Sequence, residues 1–293
     1  MPHTIVGIGE FIWDIFPTAI EPGGAVANVL QHAHHMGEDA ILVSRVGDDE
    51  FGKRFFNMWH EHGLTTDYVT IDPTLPTGSV VINHHPNGDA TYSRIPPIAS
   101  DFIPYTDELK RLAQTADAIC FGCFGQWGNV SRETIQAMLT QTNPSCLRVV
   151  DINLRPGRYT EHLVLSSLEE ASVLKLNDDE LKIVAGYLNL HGDLETQIKT
   201  IIRQFDLKLV ALTRAAEGAL LITHDNKTDS HPGIPVKIVD TVGAGDAFTA
   251  ALVAGLLKGL PLSKLNDFAN RVGSYVCTQL GAAPKLPSSL LEF

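Results

Sequence analysis

The sequence is poor in cysteine, in basic charge and in long apolar runs, and each shortage removes a class of function. Four cysteines in 293 residues are too few for a disulfide framework at this length. Lys and Arg number 22 against 34 Asp and Glu, a formal net charge of −12, which argues against a surface that grips nucleic-acid backbones broadly. An anionic small ligand would need a local positive site. No apolar run approaches the roughly 18 residues that suggest a membrane span, and MPHTIVGIGE lacks the charged start and cleavage pattern of a secretion signal. The expectation is a soluble cytoplasmic protein with neither nucleic acid nor membrane as partner, and a hydrophobic content of 44% is ample for a large core.

Short β-rich runs alternate with amphipathic stretches, the pattern of a mostly parallel sheet covered by helices on both faces. Strands are expected at 4–10, 41–47, 117–122, 146–153, 173–177, 209–214 and 218–224. Helices are expected at 24–37, 51–63, 131–141 with Ser131 as its cap and Glu133 close behind it, 244–259 and 264–281. One stretch departs from this pattern. TGSVVINHH and ATYSRI flank PNGD, and Asn-Gly between alternating runs signals a hairpin. With 10–16 it predicts a small second sheet, a lid formed by about 10–20 and 76–104 over a site at the strand ends. No linker divides the chain, so 1–293 reads as one domain.

Several motifs fail on inspection. Gly7-Ile8-Gly9 lacks the third glycine of a dinucleotide fingerprint, since residue 12 is Ile. Gly47 to Lys53 fits G-x-x-x-x-G-K, but three acidic side chains would repel phosphates and Arg54 stands where a metal-holding hydroxyl belongs. Cys120 and Cys123 form C-x-x-C at what reads as a strand end. His32, His34 and His35, like His60 and His62, lack acidic ligands at metal-site spacing and read as solvated helix faces.

DTVGAGDAFTAALVAGLLKG, from Asp240 to Gly259, carries more. Gly243, Ala244 and Gly245 fall at the start of a helix, where unpaired backbone N–H groups and the dipole make an anion site. Asp246 would repel an anion there unless it serves as a base, taking a proton from an attacking hydroxyl while the amides stabilise a transferring phosphoryl group. An acid merely decorating a helix start explains the residue equally well on these grounds.

Asp240 to Phe248 resembles the D-T-x-G-A-G-D-x-F motif of the ribokinase-like (PfkB) carbohydrate kinase family. Pro22 to Asn28 resembles its G-G-x-x-x-N, Gly47 to Gly52 its G-D-D-x-x-G turn, and Asn177 to Glu180 its N-x-x-E, so the resemblance spans nearly the whole chain. It implies a three-layer α/β/α sandwich with a small β-sheet lid and an ATP-dependent sugar kinase using Mg²⁺. By the same resemblance Asp246 is the catalytic base and Gly243, Ala244 and Gly245 form the anion hole. Asp14, Gly23, Gly24, Asn28, Gln126 and Arg155 are implied on the sugar side, with Arg155 supplying positive charge near the phosphates. Asn153, Asn177, Glu180, Thr213, Gly218 and Asn270 are implied for the nucleotide and its metal, and Asp240 for a monovalent cation such as K⁺. Phe121 to Gln126, Ser131-Arg132, Pro76-Thr77-Gly78 and Asp151 to Pro156 resemble the fructokinase-type subgroup. Fructose is therefore the first expected acceptor, with 2-keto-3-deoxygluconate, ribose or a nucleoside as alternatives, and a non-catalytic sugar-binding regulatory protein as a rival class. Exposed lid edges suggest a homodimer. One departure stands out. Where the family carries T-x-G-x-x-G, this chain has Thr213 to Gly218 with Ala215 in place of the first glycine, at a cost of about 1 kcal/mol if the backbone there needs positive φ.

Overall fold

The computed structural model describes residues 1–84, 90–94 and 97–292, so the tip of the expected PNGD turn lies outside the described residues. In chain order the elements are β1 (Thr4–Ile8), β2 (Ile12–Ile15), β3 (Ile20–Gly23), α1 (Ala25–His35), β4 (Asp39–Gly47), α2 (Glu50–Glu61), β5 (Val69–Asp72), β6 (Gly78–His84) and β7 (Ala90–Arg94). They continue with α3 (Asp107–Thr115), β8 (Ala118–Phe121), α4 (Asn129–Thr140), β9 (Leu147–Asp151), α5 (Glu161–Glu170), β10 (Val173–Asn177), α6 (Asp178–Tyr187) and α7 (Leu194–Phe205). The last are β11 (Leu209–Thr213), β12 (Ala219–Thr223), β13 (Thr228–His231), α8 (Ala244–Leu257) and α9 (Leu262–Val276).

Nine strands form the main sheet in the order β13-β12-β11-β10-β9-β8-β1-β4-β5. Its ladders are parallel except where β12 and β13 return antiparallel at one edge. Side chains alternate between faces along each strand, and both faces are buried. Ile5, Leu42, Cys120 and Ala211 join the core under α1, α8 and α9, while Val6, Val43, Phe121 and Leu212 join the core under the helices of the opposite layer. This is why the strands read as near-continuous apolar runs. α8 is buried from Ala247 through Gly255, since it packs between α1, α9 and the sheet. Gly7 lets α1 come close to the sheet, because a Cβ there would lie 2.5 Å from Val26 Cγ1.

The second sheet has the order β3-β2-β6-β7. β2 runs parallel to β6 and antiparallel to β3, and β6 and β7 form the expected antiparallel pair. Among the described residues its own buried apolar cluster is Ile12, Val80 and Ile98.

Two local expectations are corrected. Ser131 does not cap α4, which begins at Asn129 after Gly128. The Ser131 hydroxyl is buried and instead donates to the Ser100 carbonyl and accepts from Ile103 N–H, tying down the segment that leads into α3. His32 is not on a solvated face. It is fully buried, and its Nε2 lies 3.0 Å from the Ala282 carbonyl oxygen. The apparent phosphate loop at Gly47 to Lys53 is a helix start: Asp49 accepts from Gly52 N–H, Thr77 N–H and the Thr77 hydroxyl.

Candidate active site

The chain runs from β1 outward to β4 and β5, then returns to β8 on the other side of β1. Such a reversal opens a crevice outside the carboxyl ends of the strands. Here a narrow crevice lies between Glu10, Ala25, Gly122, Asp151, Asn153 and Thr249. Cys120 and Cys123 lie beside it, but burial pushes both thiols up to about 12, which withholds the thiolate that redox or metal chemistry needs.

α8 enters this region by its N-terminus. Gly243 adopts a left-handed conformation (φ 78°) before the helix, and among the described residues no side chain caps it. The first intrahelical bond runs from Ala247 N–H to the Gly243 carbonyl, so the Gly245 and Asp246 amides belong to the turn that has no partner within the helix. A Cβ on Gly243 would lie 2.0 Å from the Ala282 carbonyl oxygen, hence only glycine fits. The expected Asp240 carboxylate joins two loops, accepting from Val242 N–H at 3.0 Å and Gly281 N–H at 3.2 Å.

Asp246 receives a hydrogen bond of 2.8 Å from Asn28 Nδ2. Burial raises its pKa to about 6, reinforced by Asp151 and opposed by the Asn28 bond and by the charges of Lys175 and Arg155. A carboxylate so placed is a good proton acceptor near neutral pH. Asn28 Oδ1 is buried with no hydrogen-bond partner among the described residues. An acceptor left open beside a base has the chemistry to receive a ligand hydroxyl.

Asp14 arrives from β2. Burial raises its pKa to about 6 against the pull of Arg155. Gly23 makes room for it, since a Cβ there would lie 2.5 Å from Asp14 Oδ2. Gly24 begins α1 at φ 106°, with the Glu10 carbonyl oxygen where a Cβ would stand. Arg155 is exposed, and its charge is felt by Asp14 and Asp246 alike. The structure thus brings Asp14, Gly23, Gly24, Asn28, Arg155 and Asp246 together. Gln126 differs: it is 1% exposed, and its amide N–H groups go to the Gly122 carbonyl and the Ser167 hydroxyl.

The residues expected for the nucleotide lie at or next to the neighbouring strand ends, except Asn270, which lies within α9. Asn177 and Glu180 form a capping box on α6, and Glu180 also accepts from Leu154 N–H at 2.9 Å. Burial raises the Glu180 pKa, helped by Asp151 and opposed by Lys175. Asn153 sits at φ 37° and lines the crevice. Thr213 ends β11 with its hydroxyl 3.3 Å from the Leu176 carbonyl oxygen. Gly218 is required, as a Cβ would lie 2.2 Å from Gly233 N. Ala215 adopts φ 47°, so the strain anticipated for this substitution is present. Asn270 donates both to Asn266 O and to Asn266 Oδ1.

Sequence reasoning passed over Lys175 and Thr249. Lys175 is the one buried Lys or Arg among the described residues, and it lies 3.0 Å from Asp151 Oδ2. The signal was a lysine inside the apolar strand VLKLN.

A helix start with amides free of intrahelical partners, a buried carboxyl of raised pKa in its first turn and an acidic side chain from a second sheet have the chemistry that phosphoryl transfer to a hydroxyl requires. The chain belongs to the pfkB family of carbohydrate kinases, whose family model matches residues 18–289, and it is an ATP-dependent sugar kinase. Among its relatives, Fructokinase-2 of Oryza sativa subsp. japonica is 27% identical over 98% of this chain and 92% of its own. A putative sugar kinase of Pyrococcus horikoshii is 30% identical over 89% of this chain and 82% of its own. The crystal structure of a fructokinase with bound ATP from Xylella fastidiosa superposes with a TM-score of 0.88 at 23% identity, covering 99% of this chain and 98% of that one.

Proposed function

We propose that the chain transfers the terminal phosphoryl group of ATP to a primary hydroxyl of a free sugar, with fructose as the first acceptor. The observation that carries this reading is the Asn28–Asp246 pair at the uncapped start of α8. Asp14 and the open Oδ1 of Asn28 accept from sugar hydroxyls. Asp246 takes the proton of the attacking hydroxyl as that oxygen bonds to phosphorus and the bond to the departing ADP oxygen breaks. Amides of the Gly243 to Gly245 turn receive the negative charge of the transferring group, with Arg155 adding positive charge from the rim. Bound with Mg²⁺, ATP supplies the phosphoryl group and the metal neutralises its oxygens. Asn177 and Glu180, committed to the α6 cap, serve by holding the Leu154 and Asn177 backbone at the phosphate end. Asp240, bridging two loops, is the candidate support for a K⁺ ion.

Fructose rests on the fructokinase-type motifs and on the fructokinase relatives. Comparing kcat/KM for fructose, 2-keto-3-deoxygluconate, ribose and adenosine tests it. Fructose should lead by at least about tenfold, and a lead for any other acceptor replaces it. The four-stranded sheet serves as a lid that excludes water during transfer, so ATP hydrolysis without sugar should be far slower than with it. Its outer strands also suit a homodimer, which a light-scattering mass of 31.9 kDa, that of one chain, would contradict. The strained Ala215 favours one rival, a sugar-binding protein without turnover. Sugar binding with no ADP release would establish it.

A further inference from the structure

Lys175 and Asp151 sit opposite each other on β10 and β9. The alternation that places Val173 and Val149 in the core beneath α8 puts both charged side chains on that same face. There Lys175 Nζ lies 3.1 and 3.0 Å from the two Asp151 oxygens. Asp151 Oδ2 also accepts from the Thr249 hydroxyl at 2.9 Å, and that hydroxyl lies 3.0 Å from the Gly245 carbonyl oxygen. A Cβ on Gly245 would stand 3.2 Å from Lys175 Nζ, so the ammonium lies directly under the turn. A chain of polar contacts therefore runs from the sheet to the first turn of α8.

We propose that Lys175 is a positioning residue for phosphoryl transfer: through Asp151 and Thr249 it fixes the first turn of α8, and its ammonium sets a buried positive charge beneath Gly245. The inference rests on the kinase reading. A buried ion pair is weak evidence for stability in itself, and an apolar pair would fill two core-facing strand positions with less desolvation. The charge has a use at this place, because Asp151, Glu180 and Asp246 put three carboxylates around an anion-receiving turn. Although burial opposes its charge, Lys175 is held protonated by Asp151, Glu180 and Asp246. The groups facing Asp246 are Asn28 from α1, Asp151 from β9, Arg155 from the segment after β9 and Lys175 from β10.

Sugar-dependent ADP release, measured against pH, tests the proposal in four variants. The double variant Lys175→Met/Asp151→Asn removes the pair without stranding a buried charge. It should lose at least about tenfold in kcat while KM for the sugar changes less than about threefold. Thr249→Val cuts the link and should lower kcat by about threefold to tenfold. Lys175→Met alone should move the acid limb of kcat/KM up by about half a pH unit, and Asp151→Asn alone should move it down by a similar amount. A merely structural pair would instead lower the denaturation midpoint without this opposition of sign. Wild-type kcat in both the double variant and Thr249→Val overturns the proposal, as do shifts of the two single variants in the same direction. Should the double variant not fold, Thr249→Val decides alone. If wild-type protein turns over no sugar, the kinase reading falls. The ¹³C titration of the Asp246 carboxyl in the single variants then decides the role of Lys175, opposite shifts supporting it and no shift overturning it.

Discussion

The nine-stranded sheet carries cores on both faces, whereas among the described residues the four-stranded sheet has a small cluster of its own, Ile12, Val80 and Ile98 with Phe16 beside them, and is joined to the larger core through Trp13 of β2. The candidate site is assembled from both. Asp246 and the anion-receiving turn belong to α8, whose residues from Ala247 to Gly255 are buried, while Asp14 stands on β2 of the smaller sheet. Bulk burial suits groups that must hold geometry to a fraction of an ångström while charge develops. Asp14 differs in being only half-buried, between Trp13 in the larger core and the open end of β2, which suits a group that must meet and release an acceptor. On the proposed reading, phosphoryl chemistry falls to the deeply buried layer, and acceptor recognition is shared between Asn28 of α1 and Asp14 of the smaller sheet.

That division can be broken at either end. The largest effect should come from Asp246→Asn, which keeps the shape of the turn and removes the base. Turnover should fall by about 10²- to 10⁴-fold, with the denaturation midpoint equal to or above that of the wild type. The sign follows from the raised pKa: Asp246 binds its proton more tightly in the folded state, so its ionisation between the ordinary value of 3.8 and about 6 disfavours folding as pH rises. Asp14→Asn should act chiefly on recognition, raising KM for the sugar by about tenfold to a hundredfold with a smaller change in kcat. A kcat loss as large as that of Asp246→Asn would erase the distinction between the two regions. For the wild type, kcat/KM should fall as pH drops through about 6, where the Asp14 and Asp246 carboxylates both take up protons.

Smaller effects probe the main sheet alone. His32 is buried and neutral, its pKa lowered to about 4 by desolvation. The unfolded chain takes up a proton first, so stability contributed by this site should drain away as pH falls from 6.5 toward about 4. His32→Gln should flatten that part of a denaturation-midpoint profile. Ala215→Gly should stabilise the protein by up to about 1 kcal/mol in urea unfolding, because φ 47° suits glycine. An unchanged or lower midpoint would mean the turn bears no strain.

The sequence revealed these regions unequally, for physical reasons. Alternating and continuous apolar runs marked the central strands because both faces of the sheet are buried, and Asn-Gly marked the β6–β7 pair. Glycines at Gly23, Gly24, Gly243 and Gly218 pointed to places where backbone or a carboxylate crowds the missing Cβ. Ser131 was misread because a serine ahead of a helical run looks alike whether its hydroxyl caps that helix or holds the Ser100 to Ile103 segment through long-range bonds. His32 was misread because a polar helix position says nothing of the Ala282 carbonyl that approaches it from 250 residues away. Lys175 showed in the sequence only as a lysine inside an apolar strand, and its partner Asp151 and its place under α8 depend on the long-range meeting of β9, β10 and α8.

The most direct test of the account is ADP release from Mg²⁺-ATP with fructose and the other candidate acceptors, run side by side for the wild type and Asp246→Asn. The account predicts turnover that depends on one sugar and collapses in the variant while the variant still binds that sugar. Turnover that survives Asp246→Asn would contradict it, because the base at the start of α8 would then have no part in the reaction.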